Sequence, residues 1–403
     1  MQAIETLPID QINQDQLDEL VRGRAAESKT LEFKQVLVIE RDHEKREFSV
    51  DIASFANANG GLLLAGIRAE NGEAAEVVGF EVSNPDSLVL RVEQILHANI
   101  HPRLPWVRAR AIRVGEARYV LAVKVMRSFV GAHAVGGDGV YRYFTRGSGG
   151  KLPMDIPQVR ASYVLAESLR ERLRSFRAER TARILAGDGV AELPQARPLL
   201  ILHLVPLAAL GEPTQHDLAP FYHHERPELS PIGMRGSMAR RYNVDGVLAA
   251  GDEGRDSGCT SYVQLYENGI VEAADATVLI PSDESAGHFQ RGVSAPLTHR
   301  SLVAALEAYL TIARGIGVEP PVYLMVSMAR LSGWKLWFTF TDPAPKVADR
   351  DLLAFPEVRL DALDVRPEAV LRPVFDAFWR SFGMSSCRWY APDGKYTAPI
   401  RGF

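Results

Sequence analysis

The chain has 403 residues, 46% of them hydrophobic, and a formal net charge of −4. That suffices for two domains with their own cores, and no overall basic excess announces nucleic acid. Two cysteines, Cys259 and Cys387, exclude a disulfide framework and a cysteine-rich zinc site; with no run of membrane-span length and no charged-then-apolar N-terminus, the expectation is a soluble, reducing, cytoplasmic setting.

Residues 1–22 read as a short amphipathic helix with Ile9, Ile12, Leu17, Leu20 and Val21 on its apolar side. Next comes Glu27-Ser-Lys-Thr-Leu-Glu32-Phe-Lys34, followed by the apolar Val36-Leu-Val-Ile39, which puts the motif on or beside a strand. On a strand, residues two apart share a face, so Glu32 and Lys34 project together while Phe33 turns to the core. Two carboxylates can hold a hard cation, and a lysine beside them can steady charge on water or phosphate. The same residues equally make an exposed strand edge with a surface ion pair.

Residues 52–67, Ile-Ala-Ser-Phe-Ala-Asn-Ala-Asn-Gly-Gly-Leu-Leu-Leu-Ala-Gly-Ile, begin at helical spacing with Ile52, Phe55 and Ala56. Asn57, Asn59, Gly60 and Gly61 stop that helix, and Leu62 to Ile67 suits a buried strand. Arg68-Ala-Glu-Asn-Gly72 reads as a turn and Ser87 to Ala98 as a helix. Arg108, Arg110 and Arg113 lie on a predicted strand from Val107 to Val114, with Arg108 and Arg110 on one face. Lys124, Arg142, Arg146 and Lys151 follow, interleaved with Tyr141 and Tyr143, a pattern that suits a phosphate backbone and stacked bases as well as charged sheet edges.

E-x4-L-E-F-K, then A-x-F-A-N-x-x-G-G, then an apolar Gly-Ile strand, with His101-Pro102 and Val140-Tyr-Arg-Tyr-Phe-Thr-Arg-Gly-Ser148 further on, resembles the Schlafen AlbA-type (AlbA_2) nucleic-acid-binding domain over about residues 20–160. The resemblance implies an α+β fold with a mixed sheet. In nuclease members three acidic residues form the centre. It puts the first two on Glu27 and Glu32; the third falls just past the double-glycine strand, where Glu70 serves if the turn shifts by one residue. It implies Mg²⁺ or Mn²⁺ at Glu27, Glu32 and Glu70, Lys34 beside the phosphate, and Arg108, Arg110, Arg113, Lys124, Arg142, Arg146 and Lys151 along the nucleic acid. The implied activity is a metal-dependent endoribonuclease acting on tRNA-like RNA in phage defence or stress response. The alternative is a non-catalytic DNA-binding transcriptional regulator with a C-terminal sensor domain; a homodimer or a subunit of a defence complex are further partner expectations.

Gly147-Ser-Gly-Gly-Lys151 is no ATP site, because a Walker loop needs glycine at Thr145 and a hydroxyl residue at Leu152. His216, His223 and His224 cluster in a polar loop with Asp217 and Glu225 but lack complete metal-ligand spacing. Residues 157–190 form an arginine-rich linking helix, with Leu165, Leu169, Leu173, Phe176 and Ile184 as its apolar stripe and Gly187 at its end. Residues 195–345 read as a second α+β domain. Its features are a strand from Leu199 to Val205, a type I′ hairpin at Asn268-Gly269, a helix capped by Thr298, and a hairpin of Val322–Met328 with Trp334–Phe340 around Ser332-Gly333. Tyr262, Tyr266, Trp334 and Trp337 would stack bases or, as aromatic strand residues do more often, fill the core. The domains are thus 1–22, 23–156, 157–190, 195–345 and a proline-rich extension, 346–403, with one helix near Val370 to Phe382.

Overall fold

The structure is a computed structural model and describes residues 4–104, 106–137, 139–147, 150–211, 215–223, 229–233, 238–251, 259–279, 292–338 and 343–398. It divides into two units, Met1–Arg170 and Glu171–Phe403. The fold is mixed α+β. No helix among the described residues is long and apolar enough to cross a membrane.

In the first unit the strands are β1 (Leu31–Lys34), β2 (Gly61–Ala65), β3 (Ile67–Glu70), β4 (Glu73–Val77), β5 (Phe80–Glu81), β6 (Ile100–His101), β7 (Val107–Arg113), β8 (Arg118–Val125), β9 (Ala134–Gly137), β10 (Val140–Gly147) and β11 (Gly150–Pro153). The helices are α1 (Gln14–Arg22), α2 (Asp42–Ala56), α3 (Pro85–Asn99) and the first half of α4 (Ile156–Ala186). One sheet runs β1-β2-β8-β5 with β7 also on β8; a second runs β11-β10-β9-β6; β3 and β4 form a separate hairpin.

The N-terminal segment is not one helix. Two short 3₁₀ turns precede α1, which starts only at Gln14, because Asn13 caps it and Gln16 bonds back to the Asn13 amide. Ile9, Ile12, Leu17 and Leu20 are still buried as expected, packed with Leu31, Phe33, Leu62 and Leu64 on one face of the first sheet. The opposite face packs Leu63, Ala65, Leu121 and Val123 against Ile52 and Phe55 of α2.

β1 lies parallel to β2, with Glu32 in register with Leu63 and Lys34 with Ala65. Glu32 and Lys34 therefore stand on the α2 face, and Phe33 on the other. The double glycine makes this possible. Gly60 takes φ +75°, and a Cβ on Gly61 would come within 2.2 Å of the Phe55 ring. The expected Leu62–Ile67 strand is broken at Gly66, whose φ is +110°. Arg68 to Glu70 belongs to β3 rather than to a turn; the reversal sits at Asn71-Gly72, where both residues take positive φ.

The second unit holds β12 (Leu199–Pro206), β13 (Met238–Asn243), β14 (Gly246–Gly251), β15 (Ser261–Tyr266), β16 (Val271–Asp275), β17 (Gly292–Ser294), β18 (Val322–Ala329), β19 (Lys335–Trp337), β20 (Pro343–Val347), β21 (Leu352–Ala354) and β22 (Val358–Leu360). Its helices are the rest of α4, α5 (Ala219–Tyr222), α6 (Ala295–Gly315) and α7 (Pro367–Arg380). The large sheet runs β13-β14-β15-β16-β12-β18-β21, with β22 also on β18. Along β12, Leu200, Leu202 and Leu204 pack toward α6 and α7, while Leu199, Ile201 and Val205 pack with Ile184 and Leu173 of α4.

Three local expectations are corrected here. Ser294, not Thr298, caps α6; Thr298 lies inside it and donates to the Ser294 carbonyl. At Asn268-Gly269 only the glycine takes positive φ, so the turn is not type I′. β19 does not pair with β18, because β12 lies on one side of β18 and β21 and β22 on the other; it joins β17 and β20 instead.

Candidate functional site

On the α2 face of β1, five charged side chains from four elements meet. Lys34 Nζ lies 3.2 Å from Glu32 Oε1 and 3.1 Å from Asp51 Oδ2. Lys151 of β11 donates to Asp51 Oδ1 at 2.7 Å. Arg146 of β10 donates to Glu32 Oε2 and lays its guanidinium over the Phe55 ring, 4.1 Å from the centroid. Arg146 is only 8% exposed, and its Nε and Nη1 are buried without a hydrogen-bond acceptor. The order of the chain is Glu47, Lys151, Asp51, Lys34, Glu32, Arg146, alternating in sign from the exposed Glu47 of α2, 3.5 Å from Lys151 Nζ, to the buried Arg146.

Burial alone would push the Glu32 carboxyl up, but the Arg146 bond and charge, together with Lys34, outweigh it and hold Glu32 below its ordinary value. Burial would likewise lower Lys34, yet Asp51 and Glu32 outweigh it and hold Lys34 above its ordinary value. Both groups are therefore charged near neutrality. Their stabilising contribution is lost as pH falls through the lowered Glu32 value or rises through the raised Lys34 value.

The other two acids expected at the centre are placed differently. The Glu27 carboxylate accepts from the Phe33 amide at 3.0 Å, on a strand that ends its sheet. Glu70 is exposed on the β3–β4 hairpin and is bonded to Arg68, which also holds Glu76 at 2.9 Å. Among the described residues no group of three or more His, Cys, Asp or Glu side chains is placed to hold a metal ion. As they stand, Glu27, Glu32 and Glu70 do not fit one divalent ion.

Several expected nucleic-acid contacts are engaged with the protein itself. Arg110 Nη1 donates to the carbonyls of Ile9, Asp10 and Ile12 at 3.0, 2.7 and 3.0 Å. Lys124 donates to the Leu7 carbonyl at 2.8 Å, and Arg113 to those of Gly115 and Glu116. Arg108 and Arg142 are exposed on β7 and β10. So Glu32, Lys34, Arg146 and Lys151 come together, and Glu27, Glu70, Arg110, Arg113 and Lys124 have other partners. Asp51 is the member sequence reasoning missed. Its signal was an aspartate inside the apolar run Val50-Asp-Ile-Ala-Ser-Phe55, on the same helical face as Phe55.

The second unit has its own charged node, of another kind. Glu272 of β16 is 0% exposed and accepts from Arg180 Nε and Nη2 at 2.7 and 2.8 Å and from the Tyr262 hydroxyl at 3.0 Å; His203 Nε2 lies 3.1 Å away. Arg172 and Arg177 donate to the Leu210 and Phe355 carbonyls, and Arg183 to Asp188. Within the second unit, Arg172, Arg177 and Arg180 thus tie this half of α4 to its neighbours, while Arg183 bonds locally past the helix end. Tyr262 is core rather than a stacking surface. His216 Nδ1 lies 2.7 Å from the Ile316 carbonyl, Asp217 accepts from the Ala219 amide, and His224 and Glu225 lie outside the described residues.

Residues 27–155 match the family model described as Schlafen, AlbA_2, a segment of the chain that points to nucleic-acid binding. No curated protein matches the chain. Among solved structures, the DIP2311 protein from Corynebacterium diphtheriae is 19% identical over 35% of this chain and 27% of that one, with a TM-score of 0.24.

Proposed function

We propose that the Schlafen AlbA_2 segment binds nucleic acid by its phosphate backbone at the cluster of Glu32, Lys34, Asp51, Arg146 and Lys151. One observation carries the reading: cations from β1, β10 and β11 gather at one place, and the side chains of Lys34 and Lys151 stay 34% and 33% exposed. Half-exposed lysines can exchange part of their contact with carboxylates for contact with phosphate, and the released counterions make such binding strongly salt-dependent.

The test is fluorescence anisotropy of the full chain with a labelled tRNA transcript and with duplex DNA across a salt series. Binding should weaken steeply with salt, and Lys34→Gln should weaken it further. Binding indifferent to salt and to Lys34→Gln would sink the reading. Competition between the two probes decides whether RNA or DNA is preferred, and a DNA preference would favour a regulator with the second unit as its sensor.

A second reading, a Mg²⁺- or Mn²⁺-dependent endoribonuclease on tRNA-like RNA in phage defence or stress response, requires Glu27 and Glu70 to leave the Phe33 amide and Arg68 and join Glu32, and is favoured by one feature. The Glu27 carboxylate reaches the same strand as Glu32, through the Phe33 amide. Its test is cleavage of purified tRNA with either ion, lost in Glu32→Ala. Equal cutting by wild type and variant removes Glu32 from the chemistry.

A further inference from the structure

Asp51 is 1% exposed, in the buried half of α2, and cannot touch a polyanion. Its two oxygens take different lysines: Oδ1 pairs with Lys151 at 2.7 Å and Oδ2 with Lys34 at 3.1 Å. Those lysines come from strands of different sheets, β11 and β1. Their other acidic partners are Glu47 for Lys151, at 3.5 Å and exposed, and Glu32 for Lys34, at 3.2 Å. Lysine is a flexible cation with much rotamer freedom to lose on binding, and fixing it beforehand lowers that cost.

We propose that Asp51 is a positioning residue, holding the Lys34 and Lys151 ammonium groups side by side as a two-cation clamp for the phosphodiester backbone of a nucleic acid. The proposal rests on the reading of this segment as nucleic-acid-binding and adds to it a role for a residue that makes no contact with the ligand. It also sets the sign of an effect. If only net charge mattered, Asp51→Asn would remove a negative charge beneath two cations and tighten binding to a polyanion. If Asp51 positions the lysines, the same change weakens binding.

The experiment measures binding of the full chain to a labelled tRNA transcript over about 50–200 mM salt. Asp51→Asn should lose about tenfold in affinity. Its log–log salt slope should shrink by about 1.4–1.8, the share of two phosphate contacts at about 0.7–0.9 each. Added to Lys34→Gln/Lys151→Gln, Asp51→Asn should change neither quantity, because no clamp is left to position. Asp51→Glu keeps the charge, moves the carboxylate by one methylene and should also weaken binding, which serves if the asparagine variant folds poorly. Tighter binding by Asp51→Asn, or a loss that simply adds to that of the lysine variants, overturns the proposal.

A parallel readout needs no nucleic acid: the acetylation rates of Lys34 and Lys151, followed by mass spectrometry with Lys29 as the exposed reference. Both should rise together in Asp51→Asn. Unchanged rates overturn the clamp, whereas a wild type that binds neither RNA nor DNA overturns the functional reading alone.

Discussion

Asp51 in the first unit and Glu272 in the second are both buried carboxylates paired with cations, and the two are finished differently. Glu272 has Arg180, Tyr262 and His203 around it, all inside the second unit, and Arg180 binds it with a two-pronged fork. Asp51 is met by two lysines whose side chains remain about one third exposed. A buried charge closed on all sides by hydrogen bonds holds structure together and offers nothing to a ligand. A buried charge whose counterions reach solvent leaves those counterions available. The contrast also separates two basic sequences that look alike on paper: Arg172, Arg177 and Arg180 of α4 are engaged with acceptors of the second unit, while the lysines of β1 and β11 stay about one third exposed over Asp51.

The largest effect that tests this contrast is Arg180→Ala. Leaving Glu272 buried without its fork should cost the second unit about 3–5 kcal/mol in chemical unfolding. RNA binding by whatever remains folded should be unchanged; lost binding at intact fold would mean that the two nodes are not separate in function. A smaller cost is expected from Phe55→Leu, about 1–2 kcal/mol from lost aromatic packing and lost contact with Arg146, read as a lower denaturation midpoint of the first unit. Lys151→Gln should reduce affinity for RNA several-fold with its salt slope smaller by about one contact, and affect folding less than Arg180→Ala, since the lysine is partly solvated.

The pH response sharpens the comparison from the other side. Burial would raise the Glu272 carboxyl, but Arg180 and His203 outweigh it and hold the carboxyl at about 2. A depressed carboxylate stabilises the fold above its unfolded value and loses that contribution as pH falls through its folded one. The stability gap between wild type and Glu272→Gln should therefore persist through mild acid and close only as pH falls toward about 2, followed by urea unfolding. The smallest effect belongs to Glu70. Its carboxylate is exposed on a hairpin, so Glu70→Gln should leave both the unfolding midpoint and RNA affinity where they were.

Much of the first unit was legible because its signals are local. Glu32, Phe33 and Lys34 alternate as a strand must, and the double glycine marks where α2 stops and β2 begins. Arg146 and Lys151 were legible as basic residues on late strands, but their partner was not. Asp51 sits in a run that reads as plain apolar helix, and only the packing of α2 across β1 and β11 gives it two lysines. The misread basic residues fail for the same reason. Arg110 and Lys124 look free in one dimension, yet the N-terminal segment returns to present carbonyls to them. In the second unit, the exchange of strand partners around β18 depends on which edges are already paired, and no dipeptide at a turn records that.

The bond from the Phe33 amide to Glu27 has one more consequence. β1 terminates its sheet, and an edge strand with bare amides invites another chain to pair with it. Glu27 spends its carboxylate guarding that edge. Glu27→Ala would therefore do two things at once: it removes an acid and uncovers a template for self-association. Glu27→Gln keeps the carbonyl acceptor and removes only the charge. Alanine variants that gather into oligomers by light scattering while glutamine variants stay dispersed would mark Glu27 as a guardian of solubility, whatever else the position does.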